Sequence, residues 1–304
     1  KDLSETRQET DLWTGIVSSR FTLEGVPVSV RTACHPRVDM ISIHVVSPLV
    51  KSGRIGLSVD LPYYDGQSML PSVGDFACPE NHTSSLTSPR PGSGVITHVM
   101  DDTEYDIEIR WEGNADLSRV NERTHEYRFV PSSDDCFDVT VLFRPVNIPG
   151  MDIRDIVEDS KDGTSSLSVE DVEKTSARSW EDYWRSGAAV DLSGSSDPRW
   201  RELERRIVLS QFVLRLNESG LFPPQESGLV NNGWYGRFHW EMIWWHGAHF
   251  LLWNRQYCVD GYLSKYGDFM EEAISRASSE GRKGAKWPKC TGNFNREWPC
   301  EPHA

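Results

Sequence analysis

Hydrophobic and polar residues alternate with a period of two from about residue 20 to residue 148. Val26, Val28 and Val30 alternate with polar or turn residues, and the pattern returns at residues 41–46, 55–61, 105–111 and 137–143. Repeated alternation between turn-rich segments is typical of antiparallel sheets packed face to face. We therefore predict a β-sandwich domain over residues 1–150, interrupted by a long Gly-, Pro- and Ser-rich excursion at residues 62–91.

The pattern changes to a helical one after a connector rich in Gly, Asp and Ser at residues 151–167. Ser168 and Asp171 form a variant of the capping box that begins a helix. Apolar spacing and end signals predict four helices, over residues 168–187, 197–220, 236–253 and 262–277. Helices joined by short connections are expected to be antiparallel neighbours. Residues 168–304 are thus expected to form a separate, all-α domain.

Composition and charge exclude several classes of protein. The formal net charge of −14 argues against a nucleic-acid partner, because phosphates require clustered Lys and Arg. No apolar run approaches the roughly 20 residues that span a bilayer, so we expect no membrane segment. The chain contains no GxSxG, GxxxxGK[ST] or GxGxxG motif, and no cofactor is therefore implied.

Cysteines and glycosylation sequons bear on the compartment. The six cysteines form no CxxC pair, which argues against a zinc ribbon. We expect Cys290 and Cys300 to form a disulfide, and the connectivity of the other cysteines stays open. Sequons occur at Asn81 and Asn217. Together with the start at Lys1, without a signal peptide, these features predict a secreted, processed glycoprotein.

Aromatic residues are concentrated in one segment. Five of the twelve Trp residues fall between positions 234 and 253, where they are interleaved with carboxylate, guanidinium, amide and imidazole groups. Indole faces can cover the apolar side of a pyranose ring, while charged groups make paired hydrogen bonds to neighbouring hydroxyls. This combination favours a carbohydrate-binding site at the start of a helix.

Residues 223–229 (PPQESGL), 234–241 (WYGRFHWE) and 244–246 (WWH) resemble the six-hairpin glycosidase superfamily. The resemblance is strongest to uncharacterised relatives of glycoside hydrolase family 65, the trehalase and disaccharide phosphorylase group, and residues 203–211 and 283–289 fit the same relatives. It implies an N-terminal β-sandwich followed by an (α/α)6 barrel, of which residues 168–304 would supply only the first hairpins. It also implies an oligosaccharide or glycan substrate, an inverting acid/base mechanism, and association with the remaining C-terminal part of the barrel.

The resemblance assigns a role to Glu241. In that family a Trp-Asp-Thr-Glu motif grips the sugar, and Glu241 stands at the position of its Asp. Glu241 is therefore the candidate substrate-binding or catalytic carboxylate, whereas the general acid and its partner would lie beyond Ala304. The other predicted substrate-binding residues are Gln225, Glu226, Asn232, Trp234, Arg237, His239, Trp240, Trp244, His246, Lys286 and Trp287.

Several alternatives stay open at this stage. Glu241 could instead pair with Arg237 four residues earlier on one helix face. Consecutive helical residues point about 100° apart, so Trp240, Trp244 and Trp245 cannot all face one ligand. The chain could be a non-catalytic carbohydrate-binding module. A metal-dependent hydrolase using His246, His249 and Glu241 is disfavoured because no HExxH spacing exists, and we predict no metal.

Overall fold

The computed structural model describes residues 3–64, 74–132, 134–147, 167–227 and 233–292. They form two compact units, one with residues 3–63 and 75–182, and the other with Tyr64, Gly74 and residues 183–292. Of the predicted connector at 151–167, only Leu167 lies within the described residues.

Among its described residues, the first unit contains eleven strands, one short α-helix, a 3₁₀ turn at Pro79–Asn81 and most of a longer helix described below. In chain order the strands and the short helix are β1 (Leu3–Asp11), β2 (Ile16–Leu23), β3 (Val26–Cys34), β4 (Met40–Val46), α1 (Pro48–Lys51), β5 (Leu57–Asp60), β6 (His82–Thr87), β7 (Ser93–Met100), β8 (Thr103–Trp111), β9 (Ala115–Arg119), β10 (Glu126–Pro131) and β11 (Cys136–Asn147). An eight-stranded sheet has the order β1-β2-β3-β4-β11-β8-β7-β6, and a three-stranded sheet has the order β5-β10-β9. All neighbouring strands in both sheets are antiparallel.

Alternation along the strands places one face of each sheet in a shared core. Ile107, Ile109 and Val139 of the large sheet pack in one cluster with Tyr127 and Phe129 of the small sheet, and each is at most 2% exposed. The period of two in the sequence therefore corresponds to one buried face per strand. The β-sandwich predicted from the sequence is confirmed.

The opposite face of the large sheet contacts a helix. Helix α2 (Val169–Ser186) places Val172 in a second cluster with Ala33, Met40 and Leu142. The predicted capping box at its start is present, because Asp171 N–H donates to Ser168 Oγ (3.2 Å) and Ser168 N–H donates to Asp171 Oδ2 (3.0 Å). Helix α2 thus covers part of the second face of the large sheet.

Two features of the sandwich differ from the expectation. The sheet begins at Leu3 rather than near residue 20, because the exposed edge strand β1 carries no hydrophobic alternation. Strand β6 also lies inside the segment that we expected to be a long excursion at residues 62–91. Both strands are at the edges of the large sheet, where only one neighbouring strand constrains the sequence.

The second unit is helical. It contains the last turn of α2, followed by α3 (Trp200–Glu218), α4 (Ile243–Leu252), α5 (Asp260–Asp268) and α6 (Met270–Ser279). The expected single helix over residues 262–277 is in fact two helices, with a break at Phe269 (φ −102°, ψ 21°). No helix among the described residues has both the length and the apolar character needed to cross a membrane.

A buried arginine joins the elements of the helical unit. Arg255 is 1% exposed, and its guanidinium donates to Tyr183 O (3.1 Å), Gln211 Oε1 (3.2 Å) and Ala188 O (3.4 Å). The guanidinium carbon also lies 4.1 Å from the centre of the Tyr183 ring. These acceptors come from α2, α3 and the loop between them, so one side chain fixes three segments.

Candidate functional site

The aromatic segment is held by a small sheet before α4 begins. Strand β12 (Phe238–His239) pairs antiparallel with β13 (Cys290–Thr291). His239 N–H also donates to Pro224 O (3.1 Å), in a segment that precedes β12 in the sequence. Trp240 N–H donates to Lys289 O (3.0 Å), next to β13. Three segments that are distant in sequence, near residues 225, 239 and 290, therefore meet at this point.

The backbone immediately before β12 is strained. Trp234 and Tyr235 have φ values of 54° and 66°, and Gly236 follows with φ 64°. Non-glycine residues rarely adopt this left-handed region, and each such residue costs about 1–3 kcal/mol. Strain of this kind clusters at binding and catalytic sites. The third predicted helix consequently begins at Ile243, after a turn of 3₁₀ helix at Trp240–Met242, and not directly after Gly236.

Glu241 has a cationic partner that the sequence did not suggest. Its Oε1 lies 3.0 Å from Lys289 Nζ, and Lys289 Nζ lies 5.4 Å from the centre of the Trp234 ring. The Glu241 side chain is 40% exposed, so the carboxylate is reachable from solvent. Arg237 precedes the helix in extended backbone and stacks its guanidinium carbon 5.1 Å over the Tyr235 ring. The alternative of an i, i+4 helical pair between Arg237 and Glu241 is therefore wrong.

His239 lies beneath this surface and is fully buried. Its Nδ1 is 2.8 Å from Arg237 O, a group that only accepts, so Nδ1 carries a proton. Its Nε2 lies 3.3 Å from Glu226 Oε2 and 3.2 Å from Cys290 Sγ. The ring thus hydrogen-bonds to the main chain at Arg237 and lies beside the Glu226 carboxylate, whose Oε2 makes no hydrogen bond among the described residues.

Glu226, His239 and Glu241 bring possible metal ligand atoms within 4.8 Å of one another. The geometry could accept a cation: Glu226 Oε2 makes no hydrogen bond among the described residues, whereas Glu241 and His239 have protein partners. Lys289 neutralises Glu241, and His239 Nε2 faces Glu226 and Cys290. This trio differs from the His246, His249 and Glu241 set considered from the sequence.

The tryptophans divide into interior and surface groups. Trp240 is 6% exposed and packs against Tyr266 with a 4.4 Å separation of ring centres, and Tyr266 in turn contacts Trp287 at 5.2 Å. Trp244 and Trp245 are 71% and 69% exposed. Trp234 lies near the carboxylates, with its ring centre 6.5 Å from that of His239. Of the predicted aromatic residues, Trp234 is the one beside Lys289 and Glu241.

The remaining predicted residues occupy different positions. Gln225 forms an antiparallel bridge with Phe238, which places it next to β12. Lys286 pairs with Glu280 after α6, and its main-chain N–H donates to Ala273 O (2.9 Å). Asn232 lies outside the described residues.

His246 belongs to a buried group of the helical unit. It is 7% exposed, and its Nδ1 lies 3.5 Å from Oε2 of Glu218, which is 9% exposed. Burial raises the pKa of Glu218 to about 7, and burial lowers the pKa of His246. Glu218 was not predicted from the sequence, because a single Glu at the end of an amphipathic helix is expected to be exposed.

Cavities in the described residues lie apart from Glu241. One of about 270 Å³ in the helical unit is lined by α3 and α4 residues together with Tyr183 and Arg255. Another, of about 560 Å³ in the sandwich, is lined in part by His82, Ser84 and His125. The Glu241 carboxylate is thus on an open surface, not within either cavity.

The structure describes most of the cysteines and both sequon asparagines. Cys34, Cys78, Cys136 and Cys258 are free. The pairing of Cys290 with Cys300 stays a prediction, since Cys300 lies outside the described residues. Asn81 is exposed, whereas the Asn217 amide in α3 donates to Val213 O (2.9 Å).

Two solved structures have a similar fold. One is a protein assigned as a kojibiose phosphorylase from the human microbiome, with a TM-score of 0.66 and 14% identity over 97% of this chain and 40% of that one. The other is a bacterial glucoamylase complexed with acarbose, with a TM-score of 0.51 and 8% identity over 96% of this chain and 44% of that one. No family model and no curated protein matches the chain.

These likenesses establish the class of fold. The chain has an antiparallel β-sandwich followed by a helical unit, the order of domains that the sequence resemblance implied, and the likeness in fold to both structures covers nearly the whole chain. It spans less than half the length of either similar structure. At this level of identity the likeness concerns the fold alone, and function has to be argued from the site.

Proposed function

We propose that the protein is a glycoside hydrolase or a related phosphorylase acting on an oligosaccharide or glycoconjugate. Glu241 is the substrate-binding or catalytic carboxylate of its sugar subsite. The observation that carries this proposal is the solvent-accessible Glu241 carboxylate held by Lys289 beside the Trp234 indole. An anion and a cation side by side offer acceptors and donors to adjacent hydroxyls, and the indole offers an apolar face.

The similar structures support the substrate class. One is assigned as a kojibiose phosphorylase and the other is a glucoamylase. In an inverting mechanism, a carboxylic acid protonates the leaving oxygen while water or phosphate attacks the opposite face of the sugar. We place the general acid and its partner in further helices of the barrel. Glu241 would then hold the sugar hydroxyls and so orient the anomeric carbon.

The test compares Glu241→Gln with a matched control. Glu202→Gln also removes a carboxylate paired with cations, Arg205 and Arg206, but on the surface of α3. Binding of D-glucose, maltose and acarbose is measured by calorimetry, and sugar release from disaccharides is measured with and without phosphate. We expect Glu241→Gln to weaken binding about tenfold or more, the loss of one charge-assisted hydrogen bond, while the control is unchanged. Full binding and activity in Glu241→Gln would refute the assignment.

A non-catalytic carbohydrate-binding role is the second candidate. It is favoured by the open position of Glu241, outside both cavities described above. Sugar binding without release of reducing sugar or sugar phosphate, in the longest natural form of the protein, supports this second role.

We also propose that further barrel helices cover the helical unit. Its surface exposes large apolar side chains, a pattern that marks an interface. Those on α3 and α4 include Leu203, Leu216, Trp244, Trp245, Leu251 and Leu252. We propose in addition that the protein is secreted and glycosylated at Asn81. The exposed position of Asn81 supports glycosylation there.

A further inference from the structure

The imidazole of His239 turns one of its nitrogens toward two carboxylates. Its Nδ1 donates to Arg237 O over 2.8 Å, so the neutral ring carries its lone pair on Nε2. Glu226 Oε2 lies 3.3 Å from Nε2, and a ligand atom of Glu241 completes a group within 4.8 Å. A lone pair that faces carboxylate oxygens is repelled unless a proton or a metal ion lies between them.

Burial makes this arrangement unfavourable without a partner. His239 is fully buried, and Glu226 Oε2 is a buried atom with no hydrogen bond among the described residues. Buried polar atoms almost always have a partner, so an oxygen without one needs an explanation. Exposed carboxylates often cluster without a ligand, but here the imidazole and the Glu226 oxygen are both withdrawn from water. A cation bound to both atoms would satisfy them.

A proton on Nε2 is the alternative explanation. The imidazolium would then donate to Glu226, but the contact of 3.3 Å is not aligned as a hydrogen bond, since Oε2 has no hydrogen-bond partner in the described part of the chain. Cys290 Sγ lies 3.2 Å from Nε2. In the disulfide that we expect with Cys300, this sulfur has no proton to donate to the lone pair.

The distances suit a metal ion. Ligand atoms about 2.1 Å from a tetrahedral ion are about 3.4 Å apart, and the 3.3 Å between His239 Nε2 and Glu226 Oε2 matches this spacing. The Glu241 carboxylate would need to approach by about 1 Å, which rotation of its partly exposed side chain allows. A histidine that binds a metal usually donates its other N–H to a carbonyl or carboxylate, as His239 does to Arg237 O.

We propose that Glu226, His239 and Glu241 bind a divalent transition-metal ion, Zn²⁺ or Mn²⁺. One imidazole and two carboxylates suit these ions better than Mg²⁺ or Ca²⁺, which prefer oxygen ligands alone. The Glu226 and Glu241 side chains are 26% and 40% exposed, so the remaining coordination positions are open to water or to a sugar hydroxyl. This inference goes beyond the proposed function, with which it shares Glu241.

The sequence did not predict this site, because strand pairing brings one of its ligands to the other two. The bridge between Gln225 and Phe238 places Glu226 next to His239, although thirteen positions separate them in the chain. No local spacing of ligand residues encodes that contact.

Lys289 is the cation with which a metal ion must compete. Its Nζ lies 3.0 Å from Glu241 Oε1, which leaves the second oxygen of that carboxylate for the ion. Two carboxylates and one ammonium give the group a net negative charge, so a dication is attracted, but less strongly than by the carboxylates alone. Removal of the ammonium should therefore raise the affinity for the ion.

Metal binding is measured on the full chain, freed of metal by a chelator, by calorimetric titration with Zn²⁺ and with Mn²⁺ in the absence of sugar. We expect one ion per chain with a Kd of about 1 μM or below. Glu226→Gln and Glu241→Gln should each weaken binding about tenfold or more, because a charged ligand is lost. Glu202→Gln, which removes an exposed carboxylate of α3, should leave it unchanged. Lys289→Met should bind about tenfold more tightly.

Absence of stoichiometric binding, or equal affinity in Glu226→Gln and the wild type, would overturn the proposal. Circular dichroism shows whether each variant is folded. If a glutamine variant is unfolded, the Lys289→Met titration decides, since unchanged or weaker affinity in that variant contradicts an ion at Glu241.

Binding of D-glucose and acarbose, measured with and without metal, separates this inference from the proposed function. A protein that binds Zn²⁺ or Mn²⁺ at this group but binds neither sugar refutes the proposed function and supports the metal site. Sugar binding that depends on Glu241, in a protein that binds neither ion, has the opposite meaning.

Discussion

Glu241 and Lys289 form an ion pair with a 3.0 Å separation between Oε1 and Nζ, although they belong to segments far apart in the sequence. The contact exists because β12 and β13 pair directly beneath it. Both side chains are more than a third exposed, so the pair contributes little to stability. Its significance is that it orients a carboxylate and an ammonium group beside the Trp234 ring.

Lys289 should therefore matter for binding and not for folding. We expect Lys289→Met to weaken binding of D-glucose or maltose by about three- to tenfold, since Glu241 loses its orienting partner and the sugar loses a donor. The melting temperature should change by no more than a few degrees, as for an exposed pair. Lys265→Met, which removes a cation paired with Asp268 in α5, is the control. A large loss of stability with unchanged binding would contradict this role.

Stability should depend on pH through Glu218. Its pKa is raised from 4.5 to about 7 by burial, so the folded state retains a proton that the unfolded chain releases. This stabilisation is complete below pH 4.5 and is lost as pH rises to about 7. This rise in the pKa corresponds to roughly 3 kcal/mol. His246, with its pKa lowered, acts in the opposite direction.

The comparison of the wild type with Glu218→Gln isolates this contribution. The free energy of unfolding is measured by urea denaturation at pH 5, 6, 7 and 8. From pH 5 to pH 8, we expect this free energy to fall more in the wild type than in Glu218→Gln. Parallel curves for the two proteins would mean that Glu218 is ionised in the folded state at every pH tested.

Much of the sandwich could be predicted from the sequence, because burial on one face imposes a period of two. Val139 and Val141 of the central strand β11 illustrate this alternation. The edge strand β1 could not be predicted, since all nine of its residues are exposed and carry no apolar period. The break at Phe269 was also missed, because the helices on its two sides continue one apolar face across the sequence.

The site was less predictable than the fold. The density of aromatic and polar residues located the segment, and Glu226, His239 and Glu241 do lie together. The partners of these residues are brought close by strand pairing and helix packing, which cannot be predicted from the local pattern of hydrophobic and polar residues. Lys289 reaches Glu241 through β13, and Glu218 reaches His246 through the packing of α3 on α4. The left-handed backbone at Trp234 and Tyr235 carries no sequence signal either.

Arg255 should be a major stabilising residue of the helical unit. It is buried, donates to three acceptors and lies over the Tyr183 ring. Arg255→Ala is expected to lower the free energy of unfolding by about 3–5 kcal/mol, because three acceptors lose their donor and a cavity is left. Arg282→Ala is a control, as its guanidinium is exposed beside Glu280. Comparable denaturation curves for the two variants would contradict this account.

The capping box of α2 can be tested by a substitution with a smaller expected effect on stability. Ser168→Ala removes the hydroxyl that accepts from Asp171 N–H, and typical N-cap losses are about 0.5–2 kcal/mol. Ser168→Thr preserves the hydroxyl and should stay close to the wild type in chemical denaturation. If alanine and threonine at this position are equally stable, the hydroxyl contributes nothing to the helix.

The exposed apolar residues of α4 lead to a last prediction about the proposed cover of the helical unit. Trp244 and Trp245 are more than two-thirds exposed, and Leu252 is 85% exposed. In a protein ending at residue 304, we expect Trp244→Gln together with Trp245→Gln to reduce binding of a hydrophobic dye and self-association, with little effect on melting temperature. In a form with further barrel helices, the same substitutions should instead destabilise the protein, by about 3 kcal/mol or more, because both indoles would be buried. Equal and small effects in both forms would show that nothing covers this surface.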